Sequence, residues 1–412
     1  MDRKLHRKTF AVNASGPLDG VRVLDLSRVL VGNALTASLA DYGADVIKIE
    51  QPGMGDGLRQ IEDGGVPVFW KVLCRNKKSI AIDLKHPDGI ALVLKLVTKA
   101  DVLVENFRPG TLDALGLGPD ILLAVNPKLV LVCISGWGNT GPYRHKLGFG
   151  TLIEAFSGFA AKTGFPDSPP LLPSLGLADL VCGLNGALAT MIALREAEKE
   201  GGLGQVIDLS ILDSMAALLA PDAGAYAVTG LVPPRMGNGG MVAAPRNLYR
   251  TLDGAYLALS ASTQTMYEKL MKAIGHSDLI DDPRFLTNSD RVNNSKVLDS
   301  LIQQFIGART LQNSLDFFDE RKVTVGPVND IARFMDDPHV IEREILIDME
   351  DPDLAWLPMP QPAARLSRTP ASIRSPAPTL GEHTRQVLTE AGLSAEQIDA
   401  FIDSGTVEAA GA

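Results

Sequence analysis

The sequence predicts an α/β fold for roughly its first half and a smaller α+β domain after that. Between residues 18 and 135, short apolar runs alternate with segments of helical hydrophobic spacing. The runs are apolar along most of their length, which is typical of parallel strands covered on both faces. After residue 220, the pattern changes to a hairpin followed by amphipathic helices.

The first elements form a βαβ unit, with strands expected at 21–26 and 44–49 and a helix at 35–42 that ends at Gly43. The two strands of such a unit are parallel and joined by a right-handed crossover. Pro87 opens another helix, because its fixed φ suits a first turn. Further strands are expected at 79–84, 102–104, 129–134 and 206–209, before and after a long helix at 179–199. Residues 17–220 are therefore expected to form a large Rossmann-like domain.

The rest of the chain predicts a small α+β domain at 225–335 and a C-terminal segment, 336–412, that returns to the large domain. A hairpin is expected around Asp253 and Gly254. Residues 349–378 are proline-rich, which favours an extended strap over the surface or a partner subunit. Helix is expected again at 380–404, and residues 1–16 are expected to be a flexible tail. The small domain's helices are expected at 266–274, 291–306 and 311–319.

The composition indicates a soluble globular protein with local rather than general affinity for anions. The 412 residues are 45% hydrophobic and 21% charged, and the net charge is −10. An acidic chain is a poor general binder of nucleic acid or anionic membranes. The three cysteines and six histidines lack the spacing of a disulfide framework or metal site, so no metal is expected. The absence of an apolar run long enough for a bilayer predicts a cytoplasmic protein.

The carboxylate of Asp179 is the candidate nucleophile. It lies at the head of the long helix, within a stretch of small residues that backbone and ligand can approach closely. The partial positive charge of a helix N-terminus favours the ionised form of such a carboxylate. The alternative is that Asp179 is an ordinary N-terminal cap.

The first βαβ unit lacks the glycines of a dinucleotide-binding turn. The loop after the first strand contains Gly32 alone, although Glu50 ends the second strand where a ribose-binding acid would lie. Binding of NAD or ATP is therefore not supported.

Ligands of open α/β sheets bind beyond the carboxyl ends of the strands, where this chain places Arg28 and residues 105–108. Lys77, Lys78 and Lys85 are candidates for phosphate contacts, with solvated surface lysines as the alternative. Phe107 is a candidate for stacking on a base, or an anchor for its loop.

Taken together, these motifs resemble the class III coenzyme A transferases, the family of formyl-CoA transferase and carnitine CoA-transferase. Each matching stretch is short, but their order along the chain is specific. The matches are 17–27, 43–50, 76–80, 83–85, 104–110, 141–143, 178–179 with Gly183, 326–328 and 380–384.

The resemblance implies that Asp179 attacks an acyl-CoA thioester, passes through a mixed anhydride and then carries CoA as an aspartyl thioester. CoA would be a co-substrate, with no tightly bound cofactor. Gly239 and Gly240 would belong to a glycine loop at the substrate, with a flexible linker as the alternative for 237–240. The CoA contacts implied are Leu30, Val31, Ile82, Asp83, Leu84, Lys85, Asn106, Phe107, Arg108 and Phe149.

The chain departs from the formyl-CoA enzyme at Gln51, Ala114 and Leu147, where that enzyme has basic residues, so the phosphate contacts must be partly rearranged. The alternative function is a 2-methylacyl-CoA racemase of the same fold. Such a racemase needs a histidine where this chain has Phe149, and His145 of this chain lies four residues earlier. The resemblance also implies an interlocked homodimer that acts on an acyl-CoA and a carboxylic acid.

Overall fold

The computed structural model describes residues 3–411. Contacts divide the chain into two compact units. The first contains residues up to 157, residues 173–221 and residues from 335 onward, and the second contains 158–172 and 222–334. Residues 158–172 therefore belong to the second unit, whereas the sequence assigned them to the large domain.

The strands alternate with helices through the first half of the chain. The strands are β1 Arg7–Lys8, β2 Arg22–Asp25, β3 Asp45–Glu50, β4 Lys77–Ile82, β5 Val102–Glu105, β6 Val130–Ser135, β7 Val206–Ser210, β8 Arg246–Arg250, β9 Tyr256–Ser260, β10 Val325–Pro327, β11 Leu346–Asp351, β12 Ala355–Pro360 and β13 Val407–Glu408.

The α-helices are α1 Val31–Asp41, α2 Val68–Leu73, α3 Pro87–Val97, α4 Thr111–Ala114, α5 Pro119–Val125, α6 Gly150–Phe156, α7 Phe159–Lys162, α8 Leu177–Ala197, α9 Ile211–Leu218, α10 Ala220–Thr229, α11 Gln264–Ala273, α12 Asn288–Asn293, α13 Ser295–Gly307, α14 Leu311–Glu320, α15 Ile331–Asp336, α16 Pro338–Glu342, α17 Thr384–Glu390 and α18 Ala395–Asp403. Short 3₁₀ helices lie at Gly57–Gln60 and Ser277–Ile280.

The first unit is built on a sheet with the strand order β13-β4-β3-β2-β5-β6-β7. The six neighbouring strands β4, β3, β2, β5, β6 and β7 pair in parallel, while the two-residue β13 pairs antiparallel to β4. The predicted βαβ unit is confirmed as β2, α1 and β3, although α1 begins four residues earlier than expected. Chain order reverses between β2 and β5, so the carboxyl ends of these two strands form the crevice where open α/β sheets bind ligands.

Helices cover both faces of this sheet. On one face, alternate strand residues such as Leu24 and Leu103 form a core with α3, α17 and α18. On the other face, α1 contacts α8, and α8 contacts β6 and β7. The second face also contains buried charged side chains: Asp25 and Lys48 are 0% exposed, and Lys77 is 2% exposed.

A second sheet of the first unit changes two expectations. β1 pairs with β11, which forms a hairpin with β12 around Asp351. The segment 3–16 thus differs from the flexible tail expected, because its backbone hydrogen-bonds to β11 and Leu5 is buried. The proline-rich segment begins as a regular hairpin and has no helix or strand from 361 to 383.

The second unit contains the antiparallel sheet β10-β9-β8, and its predicted hairpin is confirmed by the pairing of β8 with β9. Its core contains Tyr249 and Leu257 of the sheet and Tyr267, Leu298 and Phe318 of helices α11, α13 and α14. These helices agree with the spacing of apolar residues in the sequence.

By length and composition, α8 and the bent pair α9–α10 are the helices of residues 3–411 that could cross a bilayer. α8 lies against α1 and the large sheet, which is the position of a core helix. Its outward face is apolar and exposed, since Leu184, Leu188 and Ile192 keep 65%, 62% and 64% of their accessible surface.

Candidate active site

The loop after β2 lies at the sheet's crevice and is held by side chains. Arg28 N–H donates to Asn106 Oδ1, and Asn106 Nδ2 donates back to the Arg28 carbonyl, both at 2.8 Å. Ser27 N–H donates to Asp25 Oδ1 at 3.0 Å, and the Lys48 ammonium donates to the Ser27 carbonyl. The loops after β2 and β5 are thereby fixed to each other.

Asn106 begins a loop whose next residues, Phe107 and Arg108, face the same crevice. Glu105 Oε2 accepts from the Phe107 N–H at 2.7 Å, and the Arg28 guanidinium lies 5.3 Å from the centre of the Phe107 ring. Burial raises the pKa of Glu105 to about 7, against hydrogen bonds from Phe107 N–H and the Cys133 thiol. The anchor of this loop therefore titrates near neutral pH.

Asp179 occupies the first turn of α8, whose N-cap residue is Gly176. Glu154 of α6 is 3% exposed, and its Oε1 accepts from the Ala178 N–H at 3.0 Å. Burial and the charge of Glu154 raise the pKa of Asp179 to about 6, while a hydrogen bond from Gly150 N–H opposes the shift. The helix N-terminus favours the ionised carboxylate, but desolvation and the charge of Glu154 outweigh this effect.

The Asp179 carboxylate and the predicted CoA contacts line one cavity of about 560 Å³ within the first unit. No histidine of residues 3–411 lines this cavity, and Phe149 occupies the position at which a racemase needs a histidine. Gly150 leaves room for the carboxylate: a Cβ there would lie 2.8 Å from Asp179 Oδ2. The lining residues are Arg28, Val29, Leu30, Val31, Asn106, Phe107, Arg108, Thr111, Ile134, Ser135, Gly136, Gly148, Phe149, Asp179 and Ile211.

The remaining predicted CoA contacts, Ile82, Asp83, Leu84 and Lys85, line a neighbouring pocket. Arg28 and Phe107 border both spaces, so the two are contiguous along the crevice. Gln51, one of the departures from the formyl-CoA enzyme, also lines this second pocket.

Of the three lysines expected near phosphate, Lys77 and Lys78 are engaged elsewhere. Lys77 Nζ is buried 3.3 Å from Asp25 Oδ2 and 2.7 Å from the Thr36 hydroxyl, and Lys78 pairs with Asp45 at 2.8 Å. The expectation is wrong for Lys77, because its position on β4 points the side chain under α1, whereas the partly exposed Lys78 is held in its ion pair with Asp45. Lys85 is exposed at the pocket.

The predicted glycine loop lies in the second unit. Arg246 Nη1 donates to the Gly239 carbonyl at 2.9 Å and to the Asn238 carbonyl at 3.3 Å. A groove of about 500 Å³ beside this loop is lined by Asn238, Arg246 and residues of β9 and β10. The loop is thus held by an arginine rather than being an unsupported linker, and the role of Gly239 and Gly240 stays a prediction.

The family model for CoA-transferase family III matches residues 18–384, nearly the whole chain. The chain belongs to this family. Succinyl-CoA–D-citramalate CoA-transferase of Chloroflexus aurantiacus is 41% identical over 377 residues, which cover 91% of this chain and 94% of that protein. Succinate–glutarate CoA-transferase of Agrobacterium fabrum is 36% identical over 391 residues, covering 92% and 96%.

Solved structures agree with this assignment. A CAIB/BAIF family protein from Brucella suis is 34% identical, with a TM-score of 0.80 over 92% of this chain and 100% of that chain. Together with the relatives above, this similarity identifies the protein as an enzyme, a family III CoA-transferase that uses CoA thioesters.

Three residues of this CoA-transferase's crevice were not found from the sequence. Asp56 binds the loop after β2, and Gly150 and Glu154, both of α6, act on Asp179 or the turn that carries it. The one available signal was the Gly53-x-Gly55-Asp56 spacing before the 3₁₀ helix, which is typical of a turn with an acidic cap.

Proposed function

We propose that this enzyme transfers CoA through covalent intermediates on Asp179. The carboxylate attacks the thioester carbon of an acyl-CoA, so the C–S bond breaks and an acyl–aspartyl anhydride forms with release of CoA thiolate. The thiolate attacks the aspartyl carbonyl of that anhydride, which frees the first acid and leaves an aspartyl–CoA thioester. The acceptor carboxylate attacks this thioester, and the released thiolate then takes the acceptor's acyl group, restoring Asp179.

The position of the Asp179 carboxylate in the same cavity as Asn106, Phe107 and Arg108 carries this proposal. A pKa of about 6 supports it, because a more basic carboxylate is a stronger nucleophile and is still mostly ionised at pH 7. Covalent capture on Asp179 keeps the energy of the thioester from being lost to hydrolysis.

We assign CoA to the crevice between β2 and β5. The six parallel strands have the order of a doubly wound, Rossmann-like sheet, and ligands of such sheets bind at the point where strand order reverses. The exposed side chains of Arg28, Arg108 and Lys85 supply positive charge for the phosphates. Phe107 supplies a ring for the base, and Leu30, Val31 and Phe149 border the path to Asp179.

The substrates proposed are dicarboxylic acids and their CoA thioesters. The relatives reported above are named for succinyl-CoA, citramalate, succinate and glutarate, and the parent acid of each carries two carboxyl groups. Gly239 and Gly240 are proposed to belong to a glycine loop that borders the acyl group, and Arg246 supports this loop by its bond to the Gly239 carbonyl.

We also propose an interlocked homodimer in the cytoplasm. Three exposed leucine or isoleucine side chains one helical turn apart on α8 form an apolar face that a second copy would cover. The irregular segment 361–378 suits a strap over the partner. The buried free thiols of Cys74, Cys133 and Cys182 are compatible with a reducing compartment.

Trapping the intermediate tests the mechanism. The protein is mixed with succinyl-CoA and hydroxylamine, and the peptide containing Asp179 is analysed by mass spectrometry. Wild type should yield the hydroxamate at Asp179, and Asp179→Ala should yield none and lose about 1,000-fold or more in exchange rate. Asp213→Asn, at an exposed acid in the first turn of α9, is the matched control and should react as wild type. Full exchange activity in Asp179→Ala would refute the proposal.

A further inference from the structure

Val29 has a backbone conformation that its residue type disfavours. Its φ is 62°, in the left-handed region, where a β-branched residue is a genuine outlier. The side chain is 44% exposed, so its own burial does not compensate for this conformation. Conformations of this kind persist where the surroundings determine them, and they cluster at functional sites. Val29 lies at the crevice, directly before Leu30.

Asp56 holds the Val29 amide in place. The Val29 N–H donates to Asp56 Oδ1 at 3.1 Å and to Oδ2 at 3.3 Å. Asn33 Nδ2 bridges the two residues, donating to the Val29 carbonyl at 2.7 Å and to Asp56 Oδ2 at 2.9 Å. Lys48 Nζ lies 3.1 Å from Asp56 Oδ2. Both backbone polar groups of Val29 are thus bonded to side chains of this cluster.

Asp56 is itself fixed from both sides and 2% exposed. Its N–H donates to Glu50 Oε2 at 2.8 Å, and its Oδ1 accepts from Leu58 N–H at 2.8 Å as the cap of a 3₁₀ helix. Burial alone would raise the pKa of Asp56, but Lys48 and the hydrogen bonds from Leu58 N–H and Asn33 lower it overall, which keeps the carboxylate ionised. The acceptor presented to Val29 is therefore rigid and charged.

The left-handed turn at Val29 determines where Leu30 goes. A Cβ on Gly176 would lie 2.4 Å from Leu30 Cδ2, so the two residues are in close contact. Gly176 is the N-cap of α8, and Asp179 follows in its first turn. A return of Val29 to an ordinary negative φ would redirect the chain at Leu30 and remove the residue that abuts this turn.

We propose that Asp56 is a positioning residue of the CoA-transfer reaction, holding Val29 in its left-handed conformation so that Leu30 abuts the turn presenting Asp179. This role rests on the proposed nucleophilic function of Asp179. Asp56 also borders the pocket that contains Lys85, but in this role it acts on the reaction through the backbone of Val29.

A double-mutant cycle between Asp56 and Val29 tests this role. Glycine adopts a positive φ without a side-chain penalty, so it removes the need for the Asp56 acceptor. With succinyl-CoA and glutarate as substrates, Asp56→Asn should lower kcat about 10- to 100-fold in wild type, the cost of a misplaced reacting group. In a Val29→Gly background, the same change should lower kcat less than about threefold.

Two further comparisons separate positioning from a general loss of structure. Asp56→Glu keeps a charge beside Lys48 but moves the acceptor, and Val29→Gly should offset its defect too. Val12→Gly changes a valine that is 72% exposed and has no positive φ, so it should offset the loss of activity in neither Asp56 variant. An equal loss in both Val29 backgrounds, full activity of Asp56→Asn, or an equal effect of Val12→Gly would overturn the role.

The hydroxylamine trap on wild type distinguishes this failure from failure of the mechanism. A wild-type Asp179 adduct combined with an unchanged Asp56 effect in the Val29→Gly background overturns the positioning role alone. A wild type that exchanges CoA without an adduct overturns the aspartyl mechanism, and the positioning role with it.

Discussion

Replacing the nucleophile should make the protein more stable, and the amount should depend on pH. In Asp179→Asn, the side chain keeps its shape but loses the charge that burial and Glu154 disfavour. The folded enzyme holds an ionised carboxylate at a cost near neutral pH, because the reaction needs it there. Asparagine removes that cost together with the activity.

The pKa shift sets the size and sign of the effect. The pKa of Asp179 rises from 3.8 to about 6, and each unit corresponds to about 1.4 kcal/mol, giving an upper limit of about 3 kcal/mol. Solvent at the cavity mouth reduces this to about 1–2 kcal/mol. Between pH 3.8 and 6, the unfolded state binds fewer protons than the folded state, so this carboxylate's contribution to stability falls as pH rises. The extra stability of Asp179→Asn over wild type is thus absent below pH 3.8 and complete above about pH 6.

Thermal melting of both proteins without substrate, between pH 3.5 and 8, measures this difference. The melting temperature of Asp179→Asn should exceed that of wild type at pH 7.5, and the two should converge toward pH 4. Asp213→Asn provides the control, because Asp213 occupies the same helical position in α9 but is exposed. A lower melting temperature for Asp179→Asn at pH 7.5, or a gap that does not change with pH, would refute the reasoning.

Three further outcomes follow from the same crevice. In wild type, kcat/KM should fall tenfold per pH unit below about pH 6, and Glu154→Gln should move this limb to lower pH by removing a like charge; an unmoved limb in a pH–rate profile would contradict this. Gly150→Ala, whose Cβ would lie 2.8 Å from Asp179 Oδ2, should lower kcat about 10-fold or more while CoA still binds by calorimetry; an unaffected kcat would show that Asp179 is free to move. The KM for succinyl-CoA should rise below pH 7 as Glu105 is protonated and its bond to Phe107 N–H weakens, and Glu105→Gln should remove this pH dependence from a KM titration.

The sequence predicted the parallel sheet and the long α8 helix because their apolar runs are long and periodic. It missed β13, since Val407 and Glu408 form a strand too short to leave a pattern. It misjudged residues 346–360, where the prolines Pro358 and Pro360 of the edge strand β12 concealed a hairpin.

The candidate site was predictable where a residue's type already limits its role, and not where packing decides. Asp179 and Phe107 could be selected from their positions at element ends. The direction of Asp179's pKa depends on Glu154, which lies 25 residues away in sequence and is brought close only by contact of α6 with α8. Lys77 was misassigned because the sequence alone does not show that its strand position points under α1.

The missing glycine fingerprint and the strained Val29 both concern the turn that follows the first strand of the sheet. In dinucleotide-binding sheets, glycines in the turn after the first strand permit the conformation that a bound phosphate requires. Here the equivalent turn has no glycine before Gly32, and Val29 adopts the positive φ instead. Asp56, Asn33 and Asn106 supply the hydrogen bonds that make this conformation stable. A valine turn held by these hydrogen bonds is stiffer than a glycine turn, because glycine can reach many backbone conformations that are closed to valine. Such stiffness suits an enzyme whose nucleophile must meet first a thioester carbon and then a returning thiolate at the same place.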